Sequence, residues 1–400
     1  MMKKRKTLVA TVAAFSLVVA ACGGDDAADE PAAEEPATEE TAAPAEEPAE
    51  EPAEEPAEEP ASEMAMPGEG VSVTMAKADW STEDPNAYVI RAVMQELGYE
   101  VSDPKDTELG PANAYIAMAQ GDADFWINSW YPGHRSWLEN ELPDGSAVGD
   151  HLEIVGEMMM AGGLQGYLIT KSFAEEYGVN SLDDLNNNAE ALAAYDAADP
   201  VPGNGIADIY GCQESYTCDD IIQSQIAFSG WENIQQVIAG YDAMFAEAAT
   251  KVNAGEPAVI YTWTPSAYIT MMRPGDNALW LTVDEVIDDS NPTGREGGES
   301  YDQRPGTAGI GTDNCPGSVD GVCQMGWIAA DIRAAANNDF LAANPAVEKM
   351  LELFQMDVVE VSLMNVEMAD GADVLDLAAQ WIEDNRDLVD SWIAEAMAAA

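Results

Sequence analysis

Three short segments of this chain place aromatic rings where strands give way to turns. Asp124-Phe125-Trp126-Ile127-Asn128-Ser129-Trp130-Tyr131-Pro132-Gly133-His134 opens like a strand and breaks at Pro132, leaving Trp130 and His134 on a loop. Tyr261-Thr262-Trp263-Thr264-Pro265 repeats that logic, with Trp263 just past a strand and just before a proline. In the tight Gly211–Cys218 loop, a disulfide ring would present Tyr216 rigidly. Ring faces carry negative potential, so aromatics from three loops suit a box around a cation that cannot donate hydrogen bonds, such as a quaternary ammonium. The same rings would also serve to pack each lobe, and position alone leaves both readings open.

Enzymatic motifs are missing from the sequence. There is no Gly-x-Ser-x-Gly elbow and no Gly-x-x-x-x-Gly-Lys phosphate loop, so neither a serine-hydrolase site nor ATP hydrolysis is expected of this chain. The stretch from Asp196 to Asp208 superficially resembles a calcium loop, but its acids miss the required spacing and a turn-rich surface loop is expected. No cofactor and no metal are expected.

The elements that must position these rings alternate between strand and helix signals. Val71, Val73 and Met75 alternate with polar neighbours, and a helix follows with Ile90, Val93, Met94 and Leu97 on one face, ended by Gly98. Further apolar runs, at Glu153–Met160, Gln165–Thr170, Ala258–Thr262 and Met325–Ala330, read as strands separated by helices such as Ser181–Tyr195. Two late helical stripes, Val347/Met350/Leu351/Phe354 and Val374/Leu377/Trp381/Leu388/Trp392, read as core. This rhythm predicts an α/β protein, and about 330 residues exceed what one core usually holds, so two lobes are expected.

The N-terminus reads as an export signal: Lys3, Lys4, Arg5 and Lys6, an apolar run from Leu8 to Ala21, then Val19-Ala20-Ala21-Cys22, which looks like a bacterial lipobox. Residues 1–22 are therefore expected to be a lipoprotein signal peptide, with Cys22 carrying a lipid anchor. Residues 23–70 are an acidic Ala/Pro/Glu tether that cannot bury a core and that would extend on the order of 100 Å. Of 74 acidic residues 18 fall in that tether, and four of the 16 basic ones fall in the leader, which leaves the remainder near −44. So acidic a surface excludes a nucleic-acid partner and suits solubility in strong salt. With Cys22 taken by lipid, the other cysteines form two close pairs, Cys212 with Cys218 and Cys315 with Cys323. Outside the cytoplasm these read as disulfides. A zinc site is disfavoured by the spacing and by the presence of only two histidines.

The motifs Gly121-Asp122-Ala123 leading to Trp130 and His134, Gln165-Gly166-Tyr167-Leu168-Ile169, Gly211-Cys212 to Cys218, and Tyr261-Thr262-Trp263-Thr264-Pro265 resemble those of glycine betaine-binding proteins of compatible-solute ABC importers. The resemblance extends over nearly all of residues 71–400. It implies a bilobed periplasmic-binding-protein fold of type II, with lobe 1 built from 71–163 and 324–400 and lobe 2 from 164–323. It further implies a cage in which Trp130, Tyr216 and Trp263 surround a trimethylammonium group, while His134 and the backbone N–H groups of Thr217 and Cys218 hold a carboxylate. Tyr216 stands where near relatives have tryptophan, and Thr217 replaces a glycine, which puts the donor geometry in question if positive φ is needed there. The implied partners are a small-molecule ligand, an ABC permease and, through it, a separate ATPase. The protein is expected to be a monomer on the outer face of the cytoplasmic membrane, touching that membrane only through its lipid. A choline- or carnitine-binding protein, or a cell-surface osmolyte sensor, is the competing expectation.

Overall fold

The computed structural model describes residues 66–283 and 305–400; the leader, Cys22 and the tether up to residue 65 lie outside the described residues, whereas residues 66–70, expected to belong to the tether, form a turn tied to the fold by the Gly68 amide donating to the Leu97 carbonyl at 3.0 Å. The first helix, Asp84–Glu96, turns the predicted apolar face inward, burying Ile90, Val93 and Met94 completely. It packs with Pro345–Leu353 and the C-terminal helices against an antiparallel sheet ordered Phe125–Tyr131, Ala330–Asn337, Leu152–Gly163. This forms one α/β lobe.

The second lobe is built on a five-stranded sheet ordered Ala278–Leu281, Gln165–Thr170, Val259–Trp263, Ala207–Tyr210, Ile234–Val237. Its pairings are mixed: Ala207–Tyr210 runs parallel to both neighbours, whereas Gln165–Thr170 runs antiparallel to both of its own. The buried core around this sheet continues across to Trp80, Tyr115 and Trp126 of the first lobe, so the lobes meet over a shared apolar face.

Four sequence expectations need correction. Ser181–Tyr195 is two helices, Leu182–Asn187 and Ala189–Asp196, because the Asn188 side chain accepts the amides of Glu190 and Ala191 and starts a new helix. Met325–Ala330 is likewise divided. Cys323–Ile328 pairs with Pro305–Ala308, while Ala330–Asn337 joins the three-stranded sheet, so the chain changes sheets inside the apolar run. Leu388 is 43% exposed rather than core, since a break at Asn385 resets the helical phase and turns Val389 and Trp392 inward instead. Trp130 is a paired strand residue opposite Ile332, not a loop residue, and Trp263 closes its strand opposite Gln165.

Both predicted disulfides are formed, Cys212–Cys218 and Cys315–Cys323. In the loop from Asp196 to Asp208, the side chains of Asp196 and Asp199 accept backbone amides. Among the described residues no cluster of metal-ligating side chains occurs, and no helix is long and apolar enough to cross a membrane.

Candidate ligand-binding site

Trp130, His134, Tyr216, Thr217, Cys218 and Trp263 all line one cavity between the two lobes. Trp80, Gln165 and Tyr261 are also part of its wall. Pairing with Ile332 fixes the end of the Phe125–Tyr131 strand and sends the Trp130 ring into the cavity. The chain then turns back on itself: the His134 amide donates to the Trp130 carbonyl at 2.8 Å, and the Trp130 amide donates to His134 Nδ1 at 3.0 Å.

That second bond decides the imidazole's role. With Nδ1 accepting, the neutral tautomer carries its proton on Nε2 and is a donor there. His134 is buried, stacked on Trp126 at 5.4 Å and met edge-on by Tyr115 at 6.0 Å. Burial pulls its pKa down to about 3, so the ring is neutral at physiological pH.

On the opposite lobe, the Cys212–Cys218 bond closes a loop that ends in the helix Thr217–Phe228, with Tyr216 as its N-cap. Thr217 and Cys218 open that helix. Their amides have no carbonyl one turn back to serve, and the helix dipole makes this end attractive to a carboxylate. The residue with positive φ in this loop is Ser215, at 83°, so Thr217 replaces glycine without strain. Trp137 Nε1 donates to Thr217 Oγ1 at 3.0 Å across the lobes.

Trp263 is backed by further rings, Tyr241 at 4.3 Å and Tyr268 at 5.3 Å between centroids, and Tyr261 donates its hydroxyl to Gln165 Oε1 at 2.6 Å. Burial first, and then Asp79 beside it, push the Tyr216 phenol well above its usual range. A neutral phenol bonded to a carboxylate presents an electron-rich ring.

Sequence reasoning missed Trp80. Its ring meets Tyr216 edge-on at 4.9 Å and it sits on a segment held by a buried charge cluster. Lys77 Nζ contacts Asp84 at 3.0 Å and Glu108 at 2.9 Å and donates to the Ala78 and Trp80 carbonyls. Glu83 accepts the Trp126 indole N–H at 3.0 Å and the Ala78 amide at 2.8 Å. Burial raises the Glu83 pKa to about 7, with Lys77 and the hydrogen bonds pulling the other way. For Lys77 the burial penalty is exceeded by Glu83, Asp84 and Glu108, which hold its pKa above the usual value. The pattern Lys77-x-Asp79-Trp80-x-x-Glu83-Asp84 has no helical or strand period, so only its charges were there to be noticed.

Among the described residues the cavity is lined by no Asp, Glu, Lys or Arg, and its His134 is neutral. A cavity without net charge of its own favours a ligand whose charges sum to zero. Aromatic faces and hydrogen-bond donors line different parts of the wall, which suits a dipolar ligand with a soft cationic end and an acidic end.

The chain is similar to the glycine betaine/proline betaine-binding periplasmic protein of Salmonella typhimurium, 26% identical over 84% of this chain and 92% of the relative. It matches the glycine betaine-binding periplasmic protein OusX of Dickeya dadantii to the same degree. Among solved structures, lactococcal OpuAC in its closed-liganded conformation with glycine betaine superposes with a TM-score of 0.56 at 18% identity, covering 81% of this chain and 99% of that one. A choline-binding ABC-transporter protein with choline superposes with a TM-score of 0.57 at 16% identity, covering 82% and 96%. These likenesses are of fold. The profile of the OpuAC family, the substrate-binding domain of the ABC-type glycine betaine transport system, matches residues 71–384, and the chain belongs to that family.

Proposed function

We propose that this protein captures glycine betaine, or a closely related quaternary ammonium osmolyte, and delivers it to an ABC permease for osmoprotective uptake. In this reading Trp130, Tyr216 and Trp263, joined by Trp80, surround the trimethylammonium group. His134 Nε2–H and the amides of Thr217 and Cys218 hold the carboxylate. The observation that carries the reading is that rings from separate segments and the open end of the Thr217–Phe228 helix line one uncharged cavity. A ring face replaces the weak hydration of a methylated cation at roughly 0.5–2 kcal/mol per good contact. Charge-assisted bonds offset the larger cost of stripping water from the carboxylate.

The protein works outside the cytoplasm, as its periplasmic relatives do. The finer picture is a monomer tethered by a lipid on Cys22, with residues 23–65 as spacer, closing on its ligand so that the permease, coupled to a separate ATPase, meets the closed form. Of lobe boundaries at 71–163, 164–323 and 324–400, the first crossing is supported by the change of sheet between Leu152–Gly163 and Gln165–Thr170. The return is favoured a few residues later than 324, between Ile328 and Ala330.

Calorimetric titration with glycine betaine, in low and high salt, tests the reading. Saturable binding is expected, with choline displaced by betaine in competition because choline brings no acid group for His134. Heat-silent titrations with every quaternary ammonium osmolyte would refute it.

A further inference from the structure

Asn128 lies under the cavity on the Phe125–Tyr131 strand and is 3% exposed. Its Oδ1 accepts two indole protons at once, from Trp130 Nε1 at 2.7 Å and from Trp80 Nε1 at 3.3 Å. An indole has a single N–H, so bonding it to a fixed oxygen removes most of the freedom the ring retains about its side-chain torsions. Trp130 is further confined from its other side. A Cβ at Gly163 would lie 2.7 Å from its ring carbon Cζ3, so the ring rests directly on backbone there. Trp80 in turn meets Tyr216 edge-on at 4.9 Å. One amide oxygen thus aligns two rings directly and a third through contact, and the two that it bonds are separated by 50 positions of sequence.

We propose that Asn128 is the positioning residue of the aromatic cage: its shared oxygen sets the angle between Trp80 and Trp130, and thereby the affinity for a methylated cation. Asparagine suits the task because it accepts both protons without placing a buried negative charge behind the rings, where an ion would need a partner. The inference rests on the cage reading given above, but its first test does not.

That test is the indole 15N–1H spectrum of the ligand-free protein, with the Trp80 and Trp130 signals assigned from Trp80→Phe and Trp130→Phe. In Asn128→Leu, which keeps the branched shape and removes the acceptor, both signals move. In Asn128→Asp, which keeps the acceptor at the cost of a buried acid, they move less than in the leucine variant. The second test is titration with glycine betaine. Kd is expected to rise roughly tenfold in Asn128→Leu and to recover largely in Asn128→Asp. Asn128→Ala replaces the leucine variant if that fails to fold. Unmoved indole signals in the leucine or alanine variant overturn the positioning claim. If the wild type binds betaine and the leucine variant binds it equally well, the claim on affinity falls while the cage reading stands. If the wild type binds no quaternary ammonium ligand, the cage reading falls and the affinity claim goes with it.

Discussion

The indole Nε1 of Trp263 donates to Thr82 Oγ1 at 3.2 Å, joining two buried residues of opposite lobes that are 181 positions apart. This bond makes a wall of the cavity part of the seam between lobes. Around it, Gln213 Nε2 donates to Asp79 Oδ2 at 3.1 Å and Trp137 Nε1 to Thr217 Oγ1 at 3.0 Å. The segment 79–82 therefore reaches across to the lobe that carries Tyr216 and Trp263.

Thr82→Val keeps the shape and removes the acceptor. A net hydrogen bond contributes about 1 kcal/mol, so betaine affinity is expected to fall several-fold, with little change in the unfolding midpoint. Small-angle scattering with ligand present would show a larger fraction of open molecules. An unaltered Kd would mean that the bond does not contribute to the closed state.

Trp263→Ala removes a ring that packs against Tyr241, its centroid 4.3 Å away and its plane tilted by 46°. It should weaken betaine binding by about 10²-fold, combining lost cation–π contact with a loosened seam. Isothermal calorimetry measures this directly, and undiminished affinity would show that the cation sits elsewhere.

His134→Leu should cost betaine far more affinity than choline, because the lost Nε2–H serves only an acid group. Wild-type affinity should also be flat between pH 5 and 8, since burial holds the imidazole neutral down to about 3. A betaine Kd that rises steeply below pH 6.5 would show that the ring titrates in the native state.

Two buried groups give opposite pH signatures in stability. His134 has a native pKa of about 3 against 6.5 when unfolded, so its contribution is present above 6.5 and is lost as pH falls through that window. Glu83 has a native pKa of about 7 against 4.5, so its contribution is present below 4.5 and is lost as pH rises through 7. Replacing Glu83 by Gln removes the second effect. The difference in unfolding midpoint between Glu83→Gln and wild type should therefore move in favour of glutamine from pH 5 to pH 8. A difference independent of pH would contradict the burial assigned to this carboxyl.

Opening the Cys212–Cys218 ring with paired serine substitutions should cost about 2 kcal/mol of stability and weaken betaine binding as well. The ring holds Tyr216 and the first amides of the Thr217–Phe228 helix in one unit. Loss of stability with full affinity at low temperature would limit the disulfide to a structural role.

Several parts of this protein were legible from residue order alone, because they depend on near neighbours. Trp130 and His134 lie four positions apart across a proline turn, Tyr216 lies inside a six-residue cysteine spacing, and Trp263 directly precedes Thr264-Pro265. Backbone geometry over such short spans is set locally, and so were the helix faces and the cysteine pairs. Trp80, Asn128 and the Lys77–Glu83–Asp84–Glu108 cluster were not legible. Each depends on at least one distant partner, Lys77 on Glu108 at 31 positions, Glu83 on Trp126 at 43 and Trp80 on Asn128 at 48, and nothing in Ala78-Asp79-Trp80-Ser81 or in Ile127-Asn128-Ser129 specifies those encounters. Local chemistry set which rings and donors stand at the ends of strands and at the start of a helix. Which of them meet, at what angle, and with what charge state was decided by the packing of two lobes, because burial and distance are properties of the assembled fold.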